Sequence, residues 1–204
     1  INNPEIIGLN VTIPYKTEVM PFLNEIDIAA EKIGAVNTLV IQNYPEKIIK
    51  GYNTDYFGFK NSLINFLAGY LPKQALIIGT GGASKAAEIV LKDLNIKYFF
   101  LSSSKKTENL FINSSDFSKE NFTNSDLIIN CSPIGMWPKT GISPIEKFKN
   151  DFNSYQYVFD MIYNPDKTQL LIDAEIKGAK IKNGLEMLEL QAQKSWELWK
   201  QIKH

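Results

Sequence analysis

The sequence has 204 residues, 22 basic and 22 acidic side chains, and a hydrophobic content of 44%. A chain of this length can hold one large domain or two small ones. Its balanced charge favours neither nucleic acid nor an anionic membrane, no apolar run reaches the roughly 20 residues of a membrane helix, and no signal peptide is visible. We therefore expect a soluble cytoplasmic protein with small-molecule partners and no nucleic-acid or membrane partner.

Rare residue types narrow the chemistry further. Cys131 is the only cysteine, His204 is the only histidine, and all 22 basic residues are lysine. A single cysteine cannot form an internal disulfide, which fits a reducing compartment. One histidine at the C-terminus argues against a serine-type triad and against a His-ligated metal site, so we expect no metal. Without arginine, a bound anion is met by lysine, hydroxyl groups or backbone N–H groups.

The first third of the chain mixes strand and helix patterns. Residues 6–13 are dense in β-branched residues and predict a strand, whereas residues 14–21, bounded by two prolines, predict a short helix. Residues 38–53 predict a hairpin with a proline in its turn. Apolar residues at helical spacing then predict a helix over residues 54–67.

Apolar strands alternate with helical stretches over residues 73–184. This alternation indicates a parallel, doubly wound sheet. We therefore expect an α/β protein in which residues 73–184 form one domain. Residues 1–72 and 185–204 would form a smaller α/β domain, with a cleft between the two.

Two further segments carry weaker signals. The tract 105–126 is polar enough to hold a mobile loop. The tail from residue 185 predicts a helix that packs back against the first domain. Its predicted apolar face consists of Leu188, Ala192, Trp196 and Trp199.

A glycine turn joins a strand to a helix at residues 79–84, which read Gly-Thr-Gly-Gly-Ala-Ser. Glycines in this context let the backbone approach a pyrophosphate, whose charge is met at the helix N-terminus. The pattern departs from the common dinucleotide fingerprint in its last position, and taken alone it also fits a simple tight connection. The strand–turn–helix context favours the cofactor site. The cofactor-binding residues would be Gly79, Gly81, Gly82, Ala83 and Ser84.

The next strand ends in Ser102, Ser103, Ser104, Lys105 and Lys106. Dinucleotide sites usually carry an acidic residue here, which holds the ribose 2′-hydroxyl. The three hydroxyls and two cations could instead receive a 2′-phosphate. This favours NADP over NAD, although a solvated pair of loop charges explains the lysines equally well.

Three polar segments in the first domain lie beside apolar strands, at residues 10–12, 34–38 and 51–55. Each alone fits a turn or a helix cap. Together with Lys16, they form a donor set that suits a polyhydroxylated ligand.

Seven segments, in order and at these spacings, resemble the shikimate dehydrogenase family. They are GLNVTIPYK, GAVNT, GYNTDYFGF, GTGGAS, NCSPIGM, DMIYNP and NGLEMLELQA. The resemblance covers essentially the whole chain. It implies an oxidoreductase that interconverts 3-dehydroshikimate and shikimate with NADP(H), on the route through chorismate to aromatic amino acids. It also implies a substrate domain and a Rossmann-type cofactor domain.

The resemblance implies a role for each matching residue. Lys16 and Asp55 match the family's catalytic pair, and Met161 and Gly184 would lie on the nicotinamide side. The implied substrate contacts are Thr12, Asn37, Tyr163 and Gln191.

Lys16 suits the proton transfer that this reaction requires. Oxidising a secondary alcohol needs a group that accepts the hydroxyl proton as hydride leaves. In the reverse direction an ammonium donates to the developing alkoxide. Burial would favour the neutral amine and the charge of Asp55 the ammonium, and the residues leave this balance open.

Two departures from the family pattern stand out. The family carries, ahead of residue 1, a first strand and a Ser-x-Ser segment that binds the substrate carboxylate, so we expect the functional protein to be longer at its N-terminus. Many members also carry an arginine that clamps the 2′-phosphate, and Ser103 takes that position here. Lys105 or Lys106 would then meet the phosphate as a point charge, without the planar fork of arginine.

Other interpretations remain. An NAD-dependent quinate/shikimate dehydrogenase is expected to carry an acid near residues 102–104, where none occurs. A non-catalytic dinucleotide-binding sensor gives no reason for Lys16, Asp55 and Asn37 to occur together. A folate-linked dehydrogenase fits the two-domain layout but not the first and third segments. The chain could be a monomer or a homodimer, and we assign Trp199 to the domain junction.

Overall fold

The computed structural model describes residues 3, 5–12, 14–43, 45–102 and 110–202. Two sheets organise the chain, a four-stranded sheet and a six-stranded sheet. None of the helices within these ranges is long and apolar enough to cross a membrane.

The four-stranded sheet contains β1 (Gly8–Asn10), β2 (Glu25–Ile26), β3 (Thr38–Gln42) and β4 (Ile48–Tyr52), in the order β1-β3-β4-β2. β3 and β4 form an antiparallel hairpin, which confirms the predicted one. Helix α1 (Ile28–Ile33) precedes β3 and ends at Gly34, whose φ of 69° is left-handed.

The short helix predicted between Pro14 and Pro21 is wrong. Residues 14–19 form turns, followed by one 3-10 turn at Met20–Phe22. Proline supplies no backbone N–H and disfavours the helical region for the residue before it. Pro21 therefore disfavours a helical conformation at Met20 and limits how far a helix could run from Pro14.

Helix α2 (Thr54–Leu67) begins where the sequence predicted, because Asn53 caps its first turn by accepting from Tyr56 N at 3.1 Å. It ends at Ala68, whose φ is 47°. The buried side of α2 includes Phe59 and Leu63.

The six-stranded sheet is parallel throughout, as predicted, in the order β10-β9-β8-β5-β6-β7. Its strands are β5 (Gln74–Ile78), β6 (Lys97–Ser102), β7 (Phe111–Asn113), β8 (Leu127–Asn130), β9 (Tyr157–Asp160) and β10 (Lys180–Lys182). Its helices are α3 (Gly82–Asp93), α4 (Lys119–Thr123) and α5 (Gln169–Ile176). The strand order reverses between β5 and β8, and such a switch point is where open α/β sheets bind ligands.

Alternation along β5 fills the core on both faces of this sheet. Leu76 and Ile78 join one buried apolar cluster, whereas Ala75 and Ile77 join the other. Successive side chains on a strand point to opposite faces, so a continuous apolar run implies a sheet covered on both sides.

Of the polar tract 105–126, the structure describes residues 110–126, which include β7 and α4; residues 105–109 lie outside the described residues, so a mobile loop within the tract stays a prediction. Phe111 in β7 stacks on Phe100 with ring centroids 4.7 Å apart, and Phe117 and Phe122 are buried. These aromatic side chains supply enough apolar surface to order an otherwise polar tract.

Helix α6 (Leu185–Lys200) packs on α2 and reaches β3, as predicted for the tail. Its predicted apolar face is wrong except at Trp199, because Trp196 is 55% exposed and Ser195 and Leu198 are buried. Polar residues occupy part of the buried side of α6, so hydrophobic periodicity identified the wrong face. The division into domains at residues 72/73 and 184/185 stays a prediction.

Candidate active site

An ion pair joins Lys16, beyond the end of β1, to Asp55 in the first turn of α2. Lys16 Nζ lies 2.6 Å from Asp55 Oδ2, and the two side chains are 27% and 24% exposed. The Lys16 carbonyl accepts from Val36 N at 2.8 Å, which ties this turn to the segment before β3. The pair is thus held in place yet remains open to a ligand.

A buried cluster of amides and hydroxyls includes Thr54, which directly precedes Asp55 in the chain. Asn37 Oδ1 accepts from Thr54 N at 2.7 Å, and Asn37 Nδ2 donates to Thr54 Oγ1 at 3.0 Å. Thr38 Oγ1 lies 2.8 Å from Ser195 Oγ, and Thr54 Oγ1 lies 3.0 Å from the same atom. Since a backbone N–H is the donor to Asn37, the orientation of its amide is fixed.

Helix α6 brings Gln191 to this cluster because a glycine lets it approach α2 closely. Thr54 Oγ1 donates to Gln191 Oε1 at 3.3 Å, and Gln191 Nε2 donates to Leu188 O at 3.0 Å. A Cβ on Gly58 would lie 2.4 Å from Met187 O, so α2 has no room for a side chain there.

The other two predicted substrate residues, Thr12 and Tyr163, are both exposed. Thr12 is exposed and follows Val11, whose N–H donates to Asn37 O at 2.7 Å. Tyr163 is 50% exposed on the loop after β9, and no hydrogen bond within the described part of the chain joins it to the cluster.

Sequence reasoning missed Thr38, Thr54 and Ser195 as members of the cluster. Thr38 and Thr54 stand inside the polar segments that the sequence singled out, so the signal for them was present. Ser195 lies one helical turn after Gln191 and carried no comparable signal.

The glycine turn after β5 fits a dinucleotide pyrophosphate. Gly79 has φ of 100°, and a Cβ there would lie 3.2 Å from Ser132 N. A Cβ on Gly81 or Gly82 would meet nothing within 4 Å, which leaves an open cradle at the start of α3. No side chain caps α3, so its first N–H groups can meet an anion.

The last position of the glycine turn, Ser84, departs from the common dinucleotide fingerprint, and its contacts show why a serine fits there. It is buried, and its Oγ donates to Gly81 O at 2.6 Å. The serine therefore satisfies its hydroxyl within the turn and leaves the cradle open.

The adenosine end of the cofactor site is only partly described. Ser102 ends β6 and is buried. Ser103, Ser104, Lys105 and Lys106 lie outside the described residues, so the phosphate grip stays a prediction.

Met161 and Gly184 meet at the carboxyl edge of the six-stranded sheet. A Cβ on Gly184 would lie 2.1 Å from Met161 O, and Gly184 N donates to Ile162 O at 3.0 Å. Beneath them, burial raises the pKa of the Asp160 carboxyl to about 6, against the opposing effect of three hydrogen-bond donors. Burial and the charge of Asp160 raise the pKa of the Cys131 thiol.

A doubly wound sheet with a glycine cradle at its switch point, together with a smaller sheet whose connections carry a lysine–aspartate pair, defines a dinucleotide-dependent dehydrogenase of the two-sheet α/β class. Residues 1–39 match the family described as the shikimate dehydrogenase substrate binding domain.

Comparison with individual proteins extends this match. A shikimate dehydrogenase (NADP(+)) of Dehalococcoides mccartyi is 40% identical, over 95% of this chain and 71% of its own length. A chorismate mutase/shikimate 5-dehydrogenase fusion from Clostridium acetobutylicum is 41% identical, with a TM-score of 0.83 over 97% of this chain and 71% of that one. Quinate dehydrogenase from Corynebacterium glutamicum, in complex with NAD, is 25% identical with a TM-score of 0.85, over 96% and 73%. The chain belongs to the shikimate dehydrogenase family.

Proposed function

We propose that this chain catalyses the reversible, NADP-dependent reduction of 3-dehydroshikimate to shikimate. The observation that carries the proposal is the ion pair of Lys16 and Asp55, 2.6 Å apart and about a quarter exposed, near a buried amide and hydroxyl cluster. The likeness to the shikimate dehydrogenase (NADP(+)) of Dehalococcoides mccartyi, 40% identical, supports both the substrate and the cofactor.

Lys16 acts as the proton donor in the direction of reduction. Its ammonium, held 2.6 Å from Asp55 Oδ2, gives up a proton to the oxygen on which negative charge develops. In the direction of oxidation, Lys16 takes the proton of the same hydroxyl, after losing its own to water. Both side chains are open enough for this exchange.

Asp55 holds the lysine and orients it. Its place in the first turn of α2 is favourable, because the positive end of the helix dipole stabilises a carboxylate there. Asn53 fixes that turn from both sides, since its Oδ1 accepts from Tyr56 N and its Nδ2 donates to Ala35 O at 3.0 Å. The position of Asp55 is therefore set by the backbone.

The substrate ring would contact Thr12, Asn37, Tyr163 and Gln191. Asn37 is 4% exposed, so its contact with a ligand would be narrow, and its larger role is to orient Thr54. Gln191 is half-buried and reaches the same Thr54 hydroxyl from α6.

NADP, when bound, accepts or supplies the hydride. The turn from Gly79 to Ser84 would hold its pyrophosphate through backbone N–H groups, in the cradle that Gly81 and Gly82 leave open. Met161 and Gly184 would line the nicotinamide side. The residues proposed for the adenosine phosphate are Ser102, Ser103, Ser104 and Lys105.

A second function, NAD-dependent oxidation of quinate, is favoured by the likeness to the quinate dehydrogenase described above. The chain lacks an acid at residues 102–104, which argues for NADP. We place the protein in the cytoplasm, without nucleic-acid or membrane partners, on the ground of its balanced charge and single cysteine. It would act as a monomer or a homodimer.

Substitution of Lys16 tests the proposal. Wild-type protein should reduce NADP+ when shikimate is added, and Lys16→Ala should lower kcat by about a thousandfold, since general acid–base catalysis contributes on that order. The Kd for NADP+, measured without shikimate, should change less than about twofold because Lys16 lies in the turns after β1 and outside the glycine turn that would hold the cofactor.

Lys50→Ala is the matched control. Lys50 lies in β4 of the four-stranded sheet and pairs with Glu25 at 3.0 Å. It should keep the wild-type kcat and KM. A Lys16→Ala variant that turns over shikimate as fast as Lys50→Ala would contradict the assignment.

A further inference from the structure

Two buried polar side chains end neighbouring strands of the six-stranded sheet. Asn130 ends β8 and Asp160 ends β9, the two are register partners, and neither has exposed surface. Asn130 Nδ2 donates to Asp160 Oδ1 at 3.0 Å. A buried carboxylate destabilises a fold unless its lone pairs are filled, so what fills them indicates what the residue does.

Three separate segments donate to the Asp160 carboxylate. Besides Asn130 from β8, Ile162 N donates to Oδ1 at 3.0 Å from the loop after β9. Thr168 Oγ1, at the N-cap of α5, donates to Oδ2 at 2.7 Å. The carboxylate therefore ties the end of β8, the loop after β9 and the start of α5 to one point.

The same network extends to the glycine turn. Asn130 Oδ1 accepts from Ser132 N at 3.0 Å and from Ser132 Oγ at 2.7 Å. Ser132 N is the atom that a Cβ on Gly79 would approach to 3.2 Å. Met161 N donates to the Asn130 carbonyl at 3.0 Å, and the Met161 carbonyl packs on Gly184.

We propose that Asp160 is a positioning residue for the cofactor: its buried carboxylate holds the loops after β8 and β9 as one rigid floor beside the glycine turn. The inference rests on the proposed function, in which the nicotinamide side of NADP lies against Met161 and Gly184. In this role Asp160 acts through the backbones of Met161 and Ser132 and touches no reacting atom.

The two loops are held in this way only if both oxygens of the Asp160 carboxylate accept hydrogen bonds. An amide at position 160 would still accept from Asn130 and Ile162, but its NH2 group would face the Thr168 hydroxyl. To accept from that NH2 group, the Thr168 hydroxyl would have to give up the hydrogen bond that it now donates to Oδ2, while it still accepts from Leu171 N at 3.4 Å. Loss of the charge also weakens the two bonds that remain, since charge-assisted hydrogen bonds are roughly twice as strong as neutral ones.

Protonation of Asp160 would have the same effect in the wild-type protein. Burial raises its pKa to about 6, so the carboxylate is ionised above that pH and neutral below it. The side chains that donate to it, Asn130 and Thr168, are uncharged. The titratable side chain that its charge reaches is Cys131, whose raised pKa keeps the thiol neutral over this range.

The test compares Asp160→Asn with wild type by the Kd for NADP+, measured without shikimate from pH 5 to pH 8. At pH 7.5 we expect the variant to bind about five- to tenfold more weakly, from the weakened charge-assisted bonds. The gap should close at pH 5, where wild type is protonated as well. The 2′-phosphate of NADP itself titrates near pH 6, so the difference between the two proteins carries the test.

Gln156→Met is the matched control at the opposite end of β9. Gln156 is buried and donates to Phe122 O at 3.0 Å and to Ser125 O at 3.1 Å. It should lose thermal stability yet follow the wild-type Kd at every pH. If Gln156→Met weakens NADP+ binding as much as Asp160→Asn does, the role of Asp160 is only structural and the inference is overturned.

Further outcomes are decisive as well. A gap in Kd that is absent, or that does not vary with pH, overturns the inference. Should Asp160→Asn fail to fold, Ser132→Ala carries the test at the other end of the network, with a smaller loss of NADP+ affinity expected and an unchanged Kd overturning it. Wild-type protein that binds NADP+ without reducing it in the presence of shikimate would contradict the proposed function alone, and the Kd comparison would still be readable.

Discussion

This protein has two polar centres, the Lys16–Asp55 ion pair and the buried Asp160 carboxylate, and their charges are balanced in different ways. Lys16 and Asp55 form an open, charge-balanced pair on the four-stranded side, and each is about a quarter exposed. Asp160 is a closed carboxylate on the six-stranded side, and uncharged donors fill its lone pairs. An open pair can exchange protons with a ligand, whereas a closed carboxylate can only hold its surroundings in place.

The two centres therefore have different roles: the open pair takes part in proton transfer, and the closed carboxylate positions the cofactor. Changes at the open pair should act on kcat with little effect on stability, because partly exposed ion pairs contribute little to folding. Changes at the closed carboxylate should act on cofactor affinity and on the pH dependence of stability, because burial sets its pKa.

Asp55→Asn gives the largest of the remaining effects. The amide keeps the size of Asp55 but leaves the Lys16 ammonium without its counter-charge, so we expect kcat/KM for shikimate to fall about a hundredfold. The free energy of unfolding should change by less than about 1 kcal/mol. Glu25→Gln, which breaks the Lys50 pair of the same sheet, should leave kcat/KM unchanged. Equal losses in the two variants would remove the distinction between the pairs.

Asp160→Asn should reveal by how much the buried, ionised Asp160 carboxylate lowers the free energy of unfolding. The folded-state pKa of Asp160, about 6, lies above its ordinary value of 3.8. Wild type therefore loses stability as the pH rises through this window, and the loss is complete above pH 6. The difference between these two pKa values corresponds to about 3 kcal/mol. In urea titrations, the stability of wild type relative to the variant should fall by about that amount from pH 4 to pH 7, and a constant difference would contradict the assignment.

Gly82→Ala tests the cradle without touching either charge. An added Cβ meets nothing within 4 Å, so the folded protein should accept it with stability equal or slightly higher, by about 0.5 kcal/mol. The methyl group would occupy the space proposed for the pyrophosphate, so the Kd for NADP+ should rise about tenfold. Gly69→Ala, at φ of 88° in the loop before β5, should instead lose about 1 kcal/mol of stability and keep the wild-type Kd. Unchanged affinity in Gly82→Ala would place the cofactor elsewhere.

Trp199→Phe should give the smallest effect and lies outside both centres. Trp199 Nε1 donates to Leu39 O at 2.8 Å, and loss of this hydrogen bond should cost about 1 kcal/mol. Trp196→Phe, on the exposed side of α6, should change stability by less than about 0.5 kcal/mol. Thermal unfolding of the two variants compares them directly, and equal Tm values would contradict the docking of α6 through Trp199.

The sequence predicts the open centre better than the closed one. Asn37 and Asp55 stand in short polar segments beside apolar strands, and Lys16 follows another such segment. The structure joins them through the ion pair and the bonds to Thr54. Asp160 and Asn130 end ordinary apolar strands, and only the parallel register of β8 and β9 brings them together.

The buried face of helix α6 is a second feature that the sequence predicted poorly. Apolar spacing predicted a face that includes Trp196, yet the buried side carries Ser195 because the cluster of Thr38 and Thr54 supplies its hydrogen-bond partners. A polar residue whose partners come from distant segments has no periodic signal in the sequence. Conversely, the hairpin and the parallel sheet follow from local patterns and are confirmed.

The proposed NADP-dependent shikimate dehydrogenase activity is tested most directly by the initial rate of cofactor reduction. Wild-type protein would be assayed with shikimate or quinate as substrate and NADP+ or NAD+ as oxidant. The account predicts the highest kcat/KM for shikimate with NADP+. A preference for quinate with NAD+, or no turnover with any of the four pairs, would contradict it.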